Sequence, residues 1–300
     1  MQNELAVHLS DSWSSILSTT TTLCSDQFEN LSDYTRNASK QFLLAFLIYC
    51  TLCVSIYIAT FKWKWPLFAS DFDEPKRILI VTAHPDDECM FFGPTILNVV
   101  RNRKSLVYLM CLSTGANYGM GRTRKRELYD ACDILGIEHG HIIIRNHSNL
   151  PDAQGARWPT ELLSRMILDQ IERYDIDTLV TFDKYGISRH INHCSIYYAI
   201  AYLSIEKNLP KDCKVYVLET INVLRKYSLI FEIPFSYLLS RRRFILSYAD
   251  RNVLVSAMRK HKSQMVWFRY LYLTFSRYFI INTLQEMDLE DIELELAVDD

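Results

Sequence analysis

Ile78-Leu-Ile-Val-Thr-Ala-His-Pro-Asp-Asp-Glu88 is the stretch that decides the fold. Its first six residues are apolar or β-branched, which is typical of a strand buried on both faces of a sheet. The polar residues and the proline that follow cannot continue such a strand. In an open parallel sheet, ligands bind where the strands end. The stretch therefore predicts a buried strand with a polar cluster at its end, made of His84, Asp86, Asp87 and Glu88.

Apolar runs alternate with amphipathic stretches along the rest of the chain. Residues 106–111, 142–144, 178–182 and 215–218 form the runs, and residues 123–135 and 160–174 have helical periodicity. This alternation predicts βαβ units and an α/β fold, in which helices flank a mostly parallel sheet.

Composition and charge exclude some functions. The chain has 49% hydrophobic and 23% charged residues and a net charge of −2, so it offers no basic surface for nucleic acid. Its eight cysteines are scattered and match neither a disulfide framework nor paired zinc knuckles. We interpret most of them as reduced, packed thiols in a domain that faces the cytosol.

The chain also contains an apolar segment, residues 42–61, without a charged residue. About 20 such residues form a helix that crosses ~30 Å of hydrocarbon, so we predict one transmembrane helix; a buried core helix is the alternative. More basic residues follow the segment than precede it, which favours a cytoplasmic carboxyl-terminal domain. These are Arg36 and Lys40 before it, and Lys62, Lys64, Lys76 and Arg77 after it.

The predicted organisation has five parts. Residues 1–41 form a polar lumenal segment with little fixed structure, and the transmembrane helix follows at 42–61. A linker at 62–76 leads to a single catalytic domain at 77–284 and an acidic tail at 285–300.

A second polar constellation, Phe182-Asp-Lys-Tyr-Gly-Ile-Ser-Arg-His-Ile-Asn-His193, follows another predicted strand. It should therefore reach the same sheet edge as the first cluster. Two histidines and one carboxylate are an established ligand set for catalytic zinc, with one position left for water. We predict that His84, Asp87 and His193 bind Zn²⁺, although another divalent metal would suit the same ligands.

The remaining polar residues then take other roles. Asp86 is free to accept a proton from metal-bound water, and His190 can stabilise an oxyanion or protonate a leaving group. Glu88 and Asp183 are expected to orient the ligands through hydrogen bonds. A lone His-Pro-Asp turn is often only surface, and a lone His-x-x-His is often incidental. Two such clusters after two buried strands favour a metal site.

These motifs resemble those of the PIG-L (LmbE-like) family of zinc-dependent N-deacetylases. The resemblance rests on Ala83-His-Pro-Asp-Asp-Glu88 and Gly186-Ile-Ser-Arg-His-Ile-Asn-His193, with Gly121-Arg-Thr-Arg-Lys-Arg-Glu-Leu128 and His261-Lys-Ser-Gln264 as further matches. It implies a Rossmann-like fold and the same ligands, base and second histidine as above. For a membrane-anchored member it implies hydrolysis of the acetamide of N-acetylglucosaminyl-phosphatidylinositol on the cytoplasmic face of the endoplasmic reticulum. That reaction is the second step of glycosylphosphatidylinositol (GPI) anchor biosynthesis.

Substrate contacts are harder to predict. The resemblance favours Arg124 as a contact to the sugar or inositol phosphate, with a solvated basic helix start as the alternative, and we add Asn192 as a candidate. Arg189 departs from the family pattern, where a small residue, often glycine, is expected. Residues 230–239, 241–243 and 267–279 combine apolar bulk with cations; ordinary core packing is the favoured interpretation, and contact with a lipid headgroup layer is the alternative.

Two other functions remain open at this point. One is a deacetylase of the same family that acts on a different acetylated amino sugar, against which the predicted anchor argues. The other is a membrane subunit without catalytic activity, against which the intact histidines and carboxylates argue.

Overall fold

The computed structural model describes residues 2–60, 72, 75–101, 105–116, 119–153 and 155–288. The chain divides into two units, Met1–Ser55 and Ile56–Asp300. Most of the predicted linker, including its tryptophans and lysines at positions 62–65, and residues 289–300 of the predicted tail lie outside the described residues.

The first unit lies within one continuous helix. Helix α1 covers Gln2–Ile58, and its part Gln27–Ile58 is long and apolar enough to cross a membrane. The prediction of little fixed structure in residues 1–41 is wrong for the described residues of that range. Neither proline nor glycine occurs before Pro66, so no residue type that breaks a helix interrupts this stretch.

The second unit is an α/β domain, as predicted, with the following elements in chain order. Its strands are β1 Arg77–Thr82, β2 Leu106–Cys111, β3 Ile142–Ile144, β4 Thr178–Phe182, β5 Lys214–Leu218, β6 Arg242–Ile245 and β7 Ile281–Glu286. Its helices are α2 Asp87–Met90, α3 Gly93–Arg101, α4 Gly121–Leu135, α5 Thr160–Tyr174, α6 Gly186–Arg189, α7 Ile191–Ile205, α8 Val223–Lys226, α9 Ile233–Leu239, α10 Tyr248–Met258 and α11 Trp267–Phe275.

The seven strands form one sheet in the order β3-β2-β1-β4-β5-β7-β6. The pairs from β3 to β5 are parallel, whereas β7 runs antiparallel to both β5 and β6. The mostly parallel sheet is therefore confirmed. The chain order reverses between β1 and β4, so these two strands flank the topological switch point, where open α/β sheets bind ligands.

Strand β1 forms the centre of the core. Its side chains Ile78, Leu79, Ile80 and Val81 are fully buried. Burying each such side chain stabilises the fold by about 1.5–3 kcal/mol, which makes β1 a rigid base for the polar residues that follow it.

Candidate active site

The polar cluster after β1 is held by its own carboxylates. Asp87 Oδ2 accepts backbone hydrogen bonds from Ala83 (3.0 Å) and His84 (2.8 Å), which closes the turn into α2. Asp86 has a φ of 122°, a backbone conformation that few residues other than glycine adopt. The turn therefore directs the two neighbouring carboxylates differently, and both are buried.

The second cluster arrives at the same edge, as predicted. The ring of His193, near the start of α7, stacks on Phe182 with 3.8 Å between the centroids, and its Nδ1 lies 3.1 Å from the carbonyl of Gly186. If Nδ1 donates to this carbonyl, Nε2 is left as a free acceptor. Gly186 has a φ of 55°, and an added Cβ there would lie 2.8 Å from the Cβ of His193. Glycine is thus required for the turn that holds this histidine.

The predicted metal ligands lie together. Asp87 Oδ2 is 3.4 Å from His193 Nε2 and 3.7 Å from His84 Nδ1. His190 lies near the other two histidines, because one nitrogen each of His84, His190 and His193 lies within 4.8 Å of the others. The geometry therefore brings the four residues together without assigning which of them bind a metal.

The local electrostatics differ between the two adjacent carboxyl groups. Burial raises the pKa of Asp86 above its ordinary value, although Arg269 opposes the shift. Burial alone would also raise the pKa of Asp87, but the charge of His193, 3.4 Å away, and then the charge of His84 outweigh it and hold this pKa well below the ordinary value. Asp87 is thus the stable anion, and Asp86 is the better proton acceptor.

Burial and the neighbouring histidines favour the neutral form of His190. Its pKa is lowered to about 4, first by burial and then by the neighbouring charges of His193 and His84. Its Nδ1 is buried and has no hydrogen-bond partner within the described part of the chain. A neutral imidazole beside the carboxylates can donate a hydrogen bond to an oxygen that gains negative charge.

The hydrogen bonds of Glu88 go to the backbone of Asp86 and to His261, and those of Asp183 include two to Thr220. Glu88 Oε2 accepts from the backbone N–H of Asp86 (3.0 Å), and Oε1 lies 2.6 Å from His261 Nε2. Asp183 binds the hydroxyl and the backbone N–H of Thr220, both at 2.7 Å. In the structure Asp183 bonds Thr220, and its role in orienting His190 or His193 stays a prediction.

The two predicted substrate contacts have partners inside the protein. Arg124 donates to the carbonyl of Gly115 and to Asp152, both at 3.1 Å, and also bonds the side chain of Gln264. Asn192 is fully buried, with Nδ2 3.1 Å from His84 Nε2. Their contact with a substrate stays a prediction, and in the structure both brace the site.

Arg189 is exposed and has a φ of 56°. This left-handed conformation accounts for a glycine at that position in the family pattern, because a side chain there costs about 1–2 kcal/mol. The unusual residue is thus tolerated at the surface at some cost in backbone strain.

Two site residues, Asp152 and Arg269, were not predicted from the sequence, and His261 was matched to the family without a role. Asp152 Oδ1 lies 3.2 Å from His84 Nε2, His261 pairs with Glu88, and the guanidinium of Arg269 lies 3.0 Å from Asp86 Oδ2. Asp152 could have been found, because it follows β3 at the same edge of the sheet. No local pattern marks Arg269, which lies on an aromatic helix.

Comparisons with known proteins point to one family. Residues 79–203 match the family model described as "PIG-L: GlcNAc-PI de-N-acetylase". The N-acetylglucosaminyl-phosphatidylinositol de-N-acetylase of Bos taurus is 43% identical over 209 residues, which are 69% of this chain and 82% of the relative. A probable enzyme of the same name from Dictyostelium discoideum is 38% identical over 244 residues, covering 71% of this chain and 93% of the relative.

A solved structure supports the fold alone. The N,N'-diacetylchitobiose deacetylase from Pyrococcus horikoshii superimposes with a TM-score of 0.54 at 14% identity, covering 78% of this chain and 91% of that one. The likeness extends over most of both chains, although few residues are shared.

Proposed function

We propose that this chain, which belongs to the PIG-L family of GlcNAc-PI de-N-acetylases and is an amide hydrolase, removes the acetyl group from N-acetylglucosaminyl-phosphatidylinositol. This is the deacetylation step of GPI-anchor biosynthesis. The observation that carries the proposal is the meeting of Asp86, Asp87, His84, His190 and His193 at the switch point of the sheet.

The residues present fit a divalent metal. The buried His193 Nε2 has no hydrogen-bond partner among the described residues, although it lies 3.4 Å from the carboxylate of Asp87. Two imidazole nitrogens and one carboxylate together form an established ligand set of catalytic zinc sites. We infer that His84, Asp87 and His193 would hold Zn²⁺ or another divalent metal.

When bound, such a metal lowers the pKa of water toward ~7 and polarises a carbonyl. The protein's own residues supply the proton transfers. Asp86, whose pKa burial raises, accepts a proton as water attacks the acetamide carbon. The neutral His190 donates a hydrogen bond to the oxygen that becomes negative. The proton that Asp86 accepted passes to the leaving amine, which departs as a free amino sugar, and acetate is the second product.

The membrane location follows from the substrate and from the apolar helix. We propose a single-pass protein of the endoplasmic reticulum membrane, anchored by residues 42–61, with the catalytic domain on the cytoplasmic side. The apolar helix Gln27–Ile58 supports the anchor, and the excess of basic residues after it supports the orientation.

The test uses the purified full-length protein in detergent and GlcNAc-phosphatidylinositol. We expect acetate release that a chelator abolishes and that added Zn²⁺ restores. N-acetylglucosamine without lipid should be a poor substrate, and preference for it would favour the alternative of a different acetylated amino sugar. Absence of chelator-sensitive release would overturn the proposal.

A further inference from the structure

An apolar cleft opens beside the active site. Its volume is about 600 Å³, within the range of pockets that bind small molecules. Helix α11 forms one wall, α8 with Tyr227 a second, and Met90 and Phe91 at the end of α2 a third. We call it the aromatic cleft.

The aromatic cleft and the active site share walls. Phe91 lines the cleft, and its ring meets that of His193 edge to face with 5.7 Å between the centroids. Arg269 also lines the cleft, and its guanidinium lies 3.0 Å from Asp86 Oδ2. A molecule whose reacting group lies at Asp86 can therefore extend directly into the cleft.

The mouth of the cleft is apolar where a soluble surface is ordinarily polar. Trp267, Phe268, Leu271 and Phe275 are between 48% and 74% exposed. The preference for core packing of residues 267–279 is therefore wrong for this outer face of α11, and only Tyr272 and Leu273 of the helix are buried. Contiguous exposed aromatic side chains of this kind mark a binding surface.

A single cation without an anionic partner lies in the cleft. Lys226 Nζ is 3.1 Å from the hydroxyl of Ser188, and it lies over the rings of Tyr227 and Tyr272 at 5.8 and 5.7 Å. Across the described residues, no carboxylate lies within ion-pair distance of it. Burial lowers the pKa of Lys226, since no anion compensates the loss of hydration. An anionic group on the ligand would restore this compensation.

A ligand that matches the cleft has an apolar chain and a phosphate next to it. We propose that the aromatic cleft binds the glycerolipid part of the substrate, with an acyl chain against Trp267, Phe268 and Phe275 and the phosphodiester at Lys226. This inference rests on the proposed function. A second copy of the chain or another protein could cover an apolar surface, but neither requires a partly buried ammonium without a carboxylate partner in a cleft that reaches the active site.

The experiment compares full-length variants on three substrates: diacyl GlcNAc-phosphatidylinositol, its deacylated glycerophosphoinositol form, and GlcNAc-inositol without phosphate. For Phe268→Ser we expect at least a tenfold loss in kcat/KM on the diacyl substrate and no change on the two soluble ones. For Lys226→Gln we expect about a tenfold loss on both phosphate-containing substrates and none on GlcNAc-inositol. Leu106→Ser, at the opposite edge of the sheet, and the exposed Lys211→Gln are the matched controls.

Each result decides between the possibilities. Equal losses on all three substrates, or losses on none, would overturn the cleft assignment while the proposed function stands, provided that the wild type deacetylates the diacyl substrate. A wild type inactive on that substrate would overturn both. If Phe268→Ser leaves kcat/KM intact but changes the particle mass measured by light scattering, the surface mediates self-association and the lipid assignment is rejected. Thermal melts of each variant check that these half-exposed positions leave the fold intact.

Discussion

Replacing Asp86 by asparagine tests the proposed base separately from the proposed metal ligands. The side chain is 3% exposed, and asparagine has nearly the same size and shape as the aspartate that already adopts the φ of 122°. Asp86→Asn therefore keeps the volume and the turn but removes the charge. Burial disfavours the charged form of Asp86 and raises its pKa, so a neutral isostere should cost little stability.

Turnover should fall steeply in this variant. A positioned general base contributes about 10²–10⁴-fold to the rate, which corresponds to about 3–5 kcal/mol of barrier at 1.36 kcal/mol per tenfold. We expect kcat for acetate release from GlcNAc-phosphatidylinositol to drop by that factor. The melting temperature should change by no more than a few degrees.

The matched control is Asp87→Asn, one residue further along the chain. Asp87 Oδ2 lies 3.4 Å from His193 Nε2 and also bonds two backbone N–H groups, so this variant should lose metal as well as activity. Metal content is measured by plasma emission on both proteins. Full turnover in Asp86→Asn, or equal metal loss in the two variants, would refute the division of roles between the adjacent carboxylates.

Two further substitutions test the turn at Gly186, which holds His193, and the buried ion pair between Glu232 and Arg277. Gly186→Ala puts a methyl group 2.8 Å from the Cβ of His193 at a φ of 55°, so we expect weaker metal binding and a lower melting temperature; Gly155→Ala, with a φ of 87° and open space around it, should show the backbone strain alone. Equal metal binding in the two variants would contradict the argument. Glu232→Gln removes the anion that pairs with the fully buried Arg277 at 2.7 Å, and we expect a loss of about 3–5 kcal/mol in the free energy of unfolding, measured by denaturant titration. A loss below 1 kcal/mol would show that this ion pair is not what stabilises the end of the sheet.

The sequence predicted the parallel part of the sheet well because hydrophobic periodicity acts locally. Strands β2, β3 and β4 have the predicted bounds, and β5 begins one residue earlier. Strand β6 falls partly on residues 241–243, which were interpreted only as cations near apolar bulk. Its antiparallel partner β7 begins 36 residues after β6 ends, so no local pattern revealed the pairing.

The long helix was missed for a different reason. Residues 1–41 are polar, and a low content of apolar residues by itself predicts disorder. Helix formation depends on the backbone as well as on burial, and a stretch without glycine or proline keeps every residue compatible with a helix.

Some site residues could be predicted from the sequence and others could not, for different physical reasons. Residues placed by strand ends, such as Asp87 and His193, are predictable because parallel strands bring their carboxyl ends to one edge. Arg269 is not, since it reaches Asp86 across 183 positions of sequence from a helix packed over the sheet edge. The same helix carries the exposed aromatic side chains of the cleft. Arg269, whose guanidinium lies 3.0 Å from Asp86 Oδ2, therefore also lines the cleft that we propose for the lipid. If that arrangement is correct, a lipid that displaces or orders α11 also changes the ion pair of Asp86. The effect of Phe268→Ser should then include kcat on the diacyl substrate as well as KM.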